Sequence, residues 1–230
     1  MKFLSFLSGS VLLLLCLCQV SLAQDWPDLG RYRAANEKVG APAPNENRVV
    51  FMGNSITDHW IQTDPEFFKK NPYLDRGISG QTTPQMLIRF RPDVIQLDPK
   101  AVLILAGTND IAGNTGPSTL KMIEDNLASM AQLAKANNIK VVLCSVLPAS
   151  QYPWRKSVKN VAEKIKKLNQ WIEKYAHENN EIYLNYYPHL VNDKGGMLSK
   201  YSKDGVHPNL AGYRVMEPMA VKAIHEALRQ

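Results

Sequence analysis

Three apolar runs that stop at a turn-forming residue constrain the fold of this chain most strongly. They are residues 48–52 before Gly53, residues 101–106 before Gly107 and residues 140–147 before Pro148. An apolar run without alternation, bounded by glycine or proline, is typical of a strand that is buried on both faces. Such strands occur mainly in parallel sheets that helices cover on both sides. The sequence therefore indicates a parallel sheet at the centre of the fold.

Helical patterns separate these strands. Apolar residues recur at three- and four-residue spacing in residues 83–90, 118–137, 158–179 and 210–228. Alternation of strand and helix predicts an α/β fold with right-handed crossovers. Two shorter runs, residues 73–76 and 181–184, add further strands, and placing the first of them beside the initial strand predicts a flavodoxin-like three-layer sandwich. In that arrangement a functional site lies at the carboxyl ends of the strands.

The first residues predict an export signal. Lys2 gives a positive start, residues 3–20 are largely apolar, and Ser21 and Ala23 are the small residues that a signal peptidase requires. A membrane anchor is the alternative, but the apolar stretch is short and polar residues interrupt it. We therefore expect a mature protein that is periplasmic or secreted and has no integral membrane segment. The predicted division is a signal peptide at 1–23, an N-terminal lead-in at 24–47 and one domain at 48–230.

Cysteine content and charge exclude several classes of protein. After signal cleavage Cys144 is the remaining cysteine, which excludes a disulfide framework within the mature chain, and its apolar surroundings predict a core residue. The formal net charge of +6 has one local concentration, in the lysines of residues 156–167. These alternate with apolar residues at helical spacing and predict an amphipathic helix with a solvated basic face. Attraction to anionic lipid or glycan is the alternative. No pattern points to a nucleic-acid partner.

Ser55 is the candidate nucleophile. It follows the first strand, and residues 56–58 begin a helix, so its hydroxyl stands at a helix N-terminus, where partial positive charge favours an anion. The alternative is a helix cap, because Ser55 and Asp58 resemble a capping box. A serine hydroxyl is a poor nucleophile until a base takes its proton. The role of Ser55 therefore depends on a base elsewhere in the chain.

His207 is the strongest candidate base among the five histidines. Asp204 precedes it by three residues in a loop that contains Gly205 and Pro208, so the carboxylate can hold one imidazole nitrogen and leave the other for Ser55. A simple turn is the alternative interpretation of this loop. The other four histidines are expected to lie on the surface or to pack against local neighbours. These are His59, His177, His189 and His225.

Candidate oxyanion donors follow the same strand ends. Attack on an ester carbonyl develops negative charge on oxygen, and donors aimed at that charge accelerate the reaction. The candidates are the backbone N–H of Ser55, the backbone N–H of Gly80 and the side-chain amide of Asn109. Loop flexibility for Gly80 and an Asx turn for Asn109 are the alternatives. No cluster has metal-ligand spacing and no glycine-rich phosphate loop is present, so neither a metal nor a cofactor is expected.

Four short segments together resemble the signature blocks of the SGNH/GDSL hydrolase superfamily. They occur in the family order, as residues 53–56, 77–80, 107–110 and 204–209. Within the superfamily, residues 49–56, 76–83 and 106–111 resemble most closely the platelet-activating-factor acetylhydrolase-like branch and related exported bacterial acylhydrolases. The resemblance implies a serine esterase in which Ser55 is the nucleophile, His207 the general base and Asp204 its orienting partner. It also implies that Gly80 and Asn109 complete the oxyanion hole.

One position departs from the family pattern. Asn54 stands directly before the nucleophile, where the family usually has an aspartate. The exchange removes a negative charge but keeps the size and the hydrogen-bonding capacity of the side chain. We therefore expect it to alter details of the loop rather than activity.

The expected substrates are short-chain acyl esters, most often acetyl esters, of carbohydrates or small molecules. This expectation follows from predicted export, from the lack of a visible lid insertion and from the resemblance to acetylhydrolases. Trp60, Tyr152 and Trp154 are candidate substrate contacts that could form a platform for a sugar or an alkyl chain, with ordinary loop packing as the alternative. Two other functions remain open: a lysophospholipase or thioesterase acting on longer chains, and a catalytically silent protein that binds glycan or lipid.

Overall fold

A five-stranded parallel sheet forms the centre of the protein. The computed structural model describes residues 25–230, so the predicted signal peptide lies outside the described residues. The strands are β1 (Val49–Gly53), β2 (Tyr73–Gly77), β3 (Ala101–Leu105), β4 (Lys140–Cys144) and β5 (Ile182–Leu184). They pair in the order β2-β1-β3-β4-β5, and every neighbouring pair is parallel. This order confirms the predicted α/β fold with a flavodoxin-like sheet.

Helices cover both faces of this sheet. In the described chain they are α1 (Arg33–Val39), α2 (Ser55–Thr63), α3 (Pro65–Lys69), α4 (Thr83–Asp93), α5 (Thr108–Ala112), α6 (Leu120–Ala136), α7 (Val161–Glu178), α8 (Tyr187–Leu190) and α9 (Leu210–Ala227). The four segments with helical periodicity correspond to α4, α6, α7 and α9. Periodicity does not predict α3, α5 and α8, because four or five residues are too few to show a repeat. Within residues 25–230, no helix is both long and apolar enough to cross a membrane.

The core consists of two apolar layers, one on each face of the sheet. Val50 in β1 packs with residues of α4, α6 and α7, such as Phe90, on one face. Phe51, the next residue along β1, packs with residues of α2, α3 and α9, such as Tyr213, on the other. Successive side chains of a strand point to opposite faces, so a sheet covered on both sides needs strands that are apolar throughout. The two layers and the sheet between them make the predicted three-layer sandwich.

The lead-in at residues 25–47 lies against the loop between β2 and α4. The hydroxyl of Tyr32 in the lead-in donates to the carbonyl of Gly77 at the end of β2. Nε2 of Gln81, in the loop itself, donates to the carbonyl of Pro27 at 2.7 Å. Burial raises the pKa of Tyr32, so its hydroxyl stays protonated and able to donate. The lead-in therefore restrains the loop at two points.

Candidate active site

Functional side chains gather around an open cavity of about 320 Å³ at the carboxyl ends of β1, β2 and β3. Its lining residues are Ser55, His59, Ser79, Gly80, Asn109, Asn114, Trp154 and His207. Ser55 begins α2 just after β1, Gly80 follows β2, and Asn109 lies in α5 just after β3. The structure therefore brings the candidate nucleophile, base and oxyanion donors to one place.

Ser55, His207 and Asp204 form a continuous chain of short contacts. Oγ of Ser55 lies 2.9 Å from Nε2 of His207, and Nδ1 of His207 lies 2.6 Å from Oδ2 of Asp204. A carboxylate only accepts hydrogen bonds, so the ring hydrogen resides on Nδ1 and leaves Nε2 free to accept. This arrangement has the geometry needed to remove the proton of a serine hydroxyl.

The two carboxylate oxygens of Asp204 have different partners. Oδ2 faces the His207 ring, whereas Oδ1 accepts the backbone N–H groups of Val206 at 2.9 Å and His207 at 2.8 Å. Partial burial raises the pKa of Asp204, but the hydrogen bonds from the His207 ring and from these two N–H groups outweigh it. Together they lower the pKa of Asp204 to about 2. The carboxylate is therefore ionised at neutral pH.

Asn54 caps the helix that Ser55 begins. Its Oδ1 accepts the backbone N–H of Ile56 at 3.1 Å. Because Asn54 performs this capping, the Ser55 hydroxyl is not required as a cap. The amide oxygen of Asn54 supplies the same kind of acceptor as the aspartate of the family pattern. Gly53 before it has no space for a side chain, since a Cβ there would lie 1.9 Å from Oγ1 of Thr57.

The candidate oxyanion donors all line the cavity. Gly80 has a φ of 82°, in the left-handed region that glycine adopts without strain. Within residues 25–230, the backbone N–H groups of Ser55 and Gly80 donate to no other group. Asn109 is buried, and its Nδ2 donates one hydrogen to the carbonyl of Gln81 at 2.9 Å. An amide nitrogen carries two hydrogens, so the second one can be donated to a substrate oxygen. The cavity can therefore offer three N–H donors to an oxygen.

A buried arginine links two loops of the site. Arg89 is 0% exposed, and its Nη2 donates to the carbonyl of Gly53 at 2.9 Å. Its Nε donates to Oε1 of Gln81 at 2.5 Å, and its Nη1 pairs with Asp93 at 3.0 Å. Gly53 precedes the nucleophile turn and Gln81 follows Gly80, so Arg89 sets the spacing between them. Sequence reasoning missed this residue, because an arginine within an amphipathic helix carries no signal of burial.

Trp154 forms one wall of the cavity, and hydrogen bonds through Asn114 connect it to Gly80. Its indole N–H donates to Oδ1 of Asn114 at 3.0 Å, and Nδ2 of Asn114 donates to the carbonyl of Gly80 at 3.2 Å. Trp154 is 43% exposed, and its ring centre lies 6.0 Å from the ring centre of His207. Asn114 therefore ties the aromatic wall to the loop of Gly80. No sequence signal marks Asn114, which follows the end of a five-residue helix.

His59 also lines the cavity, although the sequence analysis expected it on the surface or in local packing. Its ring centre lies 5.2 Å from that of His207. His59 follows Ser55 by four residues in α2, a spacing that puts both side chains on the same helix face. This spacing is the signal that could have found it.

The prediction that Trp60 contacts substrate is wrong. Trp60 is 0% exposed and stacks with Phe67 and Tyr213, at ring-centre distances of 5.3 and 5.2 Å. It follows Ser55 by five residues, which turns its side chain about 140° around the helix axis. Trp60 therefore packs beneath α2, in the apolar layer opposite the cavity side of the helix.

The prediction that Tyr152 contacts substrate is also wrong. Tyr152 is 0% exposed, and its hydroxyl accepts a hydrogen bond from Oγ1 of Thr108 at 3.0 Å. Its ring centre lies 5.2 Å from that of Trp154. Tyr152 supports Trp154 from within the core, and the contact of Trp154 itself with substrate stays a prediction.

The remaining reactive groups lie apart from this cavity. Cys144 is a free thiol at the end of β4, buried in the core as predicted. Burial raises its pKa well above the ordinary value, so the thiol is not a nucleophile. Within residues 25–230, histidine, cysteine and acidic side chains form no group of three or more that could hold a metal ion.

The fold and the site together define a serine hydrolase. Residues 51–215 match the model of the GDSL-like lipase/acylhydrolase family. This match spans more than half of the chain, and the chain belongs to that family. The prediction of an SGNH/GDSL-type esterase is therefore confirmed.

Solved structures show the same family and fold. The chain is 50% identical to a GDSL-like lipase from Bacteroides thetaiotaomicron, over 87% of this chain and 98% of that one, with a TM-score of 0.86. A structure from Bacteroides fragilis is 47% identical over 89% of this chain and 99% of that one, with a TM-score of 0.88. An acetyl-xylooligosaccharide esterase from Geobacillus, 20% identical over 81% of this chain and 96% of that one, has a TM-score of 0.64 and shares the fold.

Curated relatives match over shorter stretches. Esterase TesA of Pseudomonas aeruginosa is 28% identical over 60% of this chain and 62% of its own length. The lipoprotein YqeF of Bacillus subtilis is 36% identical over 33% of this chain and 32% of its own. The chain thus spans less than two thirds of the length of these relatives. The esterase TesA is consistent with membership of an esterase family, and the lipoprotein YqeF is compatible with export.

Proposed function

We propose that this protein hydrolyses short-chain acyl esters, and acetyl esters of carbohydrates in particular, through an acyl-serine intermediate. The observation that carries the proposal is the chain of contacts from Ser55 through His207 to Asp204 at the edge of an open cavity. Serine attack on an ester needs a positioned base and donors for the oxyanion. Both kinds of group line this cavity.

In the first half of the reaction, Nε2 of His207 takes the proton of Ser55 as Oγ adds to the ester carbonyl. The carboxylate of Asp204 stabilises the imidazolium that forms. The tetrahedral oxyanion accepts hydrogen bonds from the backbone N–H groups of Ser55 and Gly80 and from the amide of Asn109. The imidazolium then protonates the leaving alcohol, which departs and leaves the acyl group on Ser55.

In the second half, a water molecule takes the place of the alcohol. His207 removes a proton from this water, which attacks the acyl-serine carbonyl, and the same donors hold the second oxyanion. The imidazolium returns its proton to Oγ of Ser55 as the carboxylic acid departs. The cycle consumes one ester and one water and needs no cofactor.

The residue types around the cavity support a short acyl group. A long alkyl chain requires a groove of aliphatic side chains, and none of the eight lining residues is aliphatic beyond glycine. The exposed ring of Trp154 supports a sugar as the alcohol, because a flat indole face packs well against the apolar face of a pyranose. The acetyl-xylooligosaccharide esterase with the same fold is consistent with this substrate class.

The export that the sequence predicts also favours a carbohydrate substrate. The predicted signal peptide at residues 1–23 and the lipoprotein name of YqeF support export to the periplasm or the medium. Acetylated polysaccharides are found there, and an open cavity can admit a chain of sugars.

Hydrolysis of p-nitrophenyl acetate, butyrate and octanoate by the chain from Gln24 onward tests the proposal. We expect kcat/KM to fall as the acyl chain lengthens, because the cavity offers no aliphatic groove. Ser55→Ala should abolish the activity, whereas Ser129→Ala, which changes a serine of α6 outside the cavity lining, should keep it. A preference for octanoate would favour a lysophospholipase or thioesterase, and equal background rates for both variants would favour a silent binding protein.

A further inference from the structure

A second cavity lies beside the catalytic one. Its volume is about 390 Å³, and its wall includes Gly113, Ser118, Arg155, Ser157, Lys159 and Lys164. Residues that are adjacent in sequence line different cavities. Asn114 and Trp154 line the catalytic cavity, while their chain neighbours Gly113 and Arg155 line the second one. The two cavities therefore adjoin along these two segments of the chain.

The second cavity carries positive charge that this chain does not neutralise. Within residues 25–230, Arg155, Lys159 and Lys164 form no ion pair with a carboxylate. A nearby lysine of the same helix is paired, since Nζ of Lys167 lies 2.7 Å from Oε1 of Glu163. The cations that line the cavity are thus free to bind an anion from outside.

One acidic side chain in the wall, Asp110, does not offset this charge. Its carboxylate accepts the backbone N–H of Thr83 at 2.9 Å and the Thr83 hydroxyl at 2.6 Å. Asp110 is 2% exposed, and although burial raises its pKa, its carboxylate is bound to Thr83 rather than presented to the cavity. The net charge of the wall is positive.

The start of α7 adds to this positive field. Lys159 and Lys164 flank its first turn, and the side chain of the cap residue Asn160 makes no hydrogen bond to the helix. The first N–H groups of an 18-residue helix therefore remain without a side-chain cap. Arg155 presents a planar fork of donors, which matches a carboxylate better than a lysine does. Within the described chain its guanidinium makes one hydrogen bond, a long contact of 3.4 Å from Nη2 to the carbonyl of Gly113.

We propose that this basic cavity binds the carboxylate of a uronic acid residue in the substrate, so that the enzyme acts on acylated acidic oligosaccharides. The inference rests on the proposed function, because the acyl ester must occupy the catalytic cavity. A sugar stacked on Trp154 would place its neighbour in the chain at Arg155. The anion then orients the oligosaccharide and leaves the chemistry to Ser55 and His207.

Comparison of acidic and neutral substrates tests this inference. We expect the wild type to have a lower KM for acetylated oligogalacturonide than for acetylated xylooligosaccharide. Lys159→Gln/Lys164→Gln should raise the KM for the acidic substrate about fivefold, with kcat unchanged, because exposed ion pairs are individually weak. The same variant should leave both parameters for the neutral substrate unchanged. About 0.5 M salt should remove the difference between the substrates by screening the charges.

A matched control separates a binding site from general surface charge. Lys156→Gln/Lys166→Gln removes the same net charge from the same segment, but neither lysine lines the basic cavity. This control should keep the wild-type KM for the acidic substrate. Equal losses in both double variants, or equal KM values for the two substrates in the wild type, would overturn the inference. A larger effect on a sulfated acetyl oligosaccharide would overturn the assignment to uronate in favour of sulfate.

Binding without turnover keeps this inference separate from the proposed function. The double variants can be compared by calorimetry for affinity toward oligogalacturonide that carries no acetyl group. Selective loss of affinity in Lys159→Gln/Lys164→Gln would support the basic cavity even if acetyl esters were not hydrolysed. Hydrolysis of p-nitrophenyl acetate without any binding of oligogalacturonide would leave the esterase proposal intact and refute the acidic substrate.

Discussion

Ser55→Ala and His207→Ala are each expected to lose about 10⁴-fold in kcat/KM, and the double variant is expected to be no worse than either one. The reason is that Oγ of Ser55 and Nε2 of His207, 2.9 Å apart, act as one unit. A base without a nucleophile has nothing to activate, and the serine hydroxyl without a base is a weak nucleophile. Steady-state kinetics on p-nitrophenyl acetate with the three variants measures this non-additivity.

A matched substitution controls for general disturbance by these variants. His225→Ala changes a histidine of α9 that lies outside the cavity lining, and it should keep full activity. Thermal unfolding of every variant checks that the fold is retained. A double variant that is much worse than either single variant would show that Ser55 and His207 act independently, and it would refute the shared proton transfer.

Asp204→Asn is expected to lose about 10⁴-fold in kcat, with a small change in KM. Oδ1 of Asp204 holds the loop through two backbone N–H groups, and an asparagine oxygen can still accept from them. Oδ2 faces Nδ1 of His207 at 2.6 Å, and an amide there cannot stabilise an imidazolium as a carboxylate does. The variant therefore separates the charge of Asp204 from its role in the loop.

The pH dependence of this position has a defined sign. The pKa of Asp204 is about 2 in the folded protein, below its ordinary value of 3.8. The ionised carboxylate therefore favours folding above about pH 4, and this contribution is lost as the pH falls through the folded pKa of about 2. Asp204 stays ionised between pH 4 and neutral, so we expect that its titration does not cause any change in wild-type activity over this range.

Rate profiles against pH for the wild type, Asp204→Asn and the exposed control Asp193→Asn test this expectation. A kcat of Asp204→Asn within tenfold of the wild-type value would contradict the assignment of Asp204.

The sheet and the main helices could be predicted from sequence because each follows from a local pattern. Strands such as residues 49–53 are apolar throughout, and the long helices repeat their apolar residues with the helical period. The short helix α5 escapes this reasoning, although it carries Asn109. It is formed by the turn after β3 and has no apolar face of its own to reveal it.

The sequence identifies candidate site residues where a proposed chemical role and a sequence block coincide. Ser55, Gly80, Asn109 and His207 all lie in such blocks, and all of them line the cavity. Helix geometry could have identified His59 rather than Trp60 as the residue that lines the cavity. A residue four positions after Ser55 lies on the same helix face, and a residue five positions after it does not. The prediction failed because it considered how close Trp60 is to Ser55 in sequence and not the direction in which its side chain leaves the helix.

The supporting contacts were not predictable, because they join segments far apart in sequence. Arg89 bonds Gly53 and Gln81, and Asn114 bonds Gly80 and Trp154. Each of these is a single polar residue whose immediate neighbours in sequence do not line the catalytic cavity. Only the folded chain shows that the loops of the candidate nucleophile and of the candidate oxyanion donor Gly80 are held by the same buried guanidinium.

The central claim is that Ser55 is the activated nucleophile, and reaction with a serine-directed fluorophosphonate tests it most directly. Intact-mass measurement and peptide mapping should find one adduct, on Ser55, in the wild type and in Ser129→Ala. His207→Ala should react far more slowly, because the base that activates Ser55 is missing. No adduct on the folded wild type, or an adduct on another residue that persists in Ser55→Ala, would contradict the account.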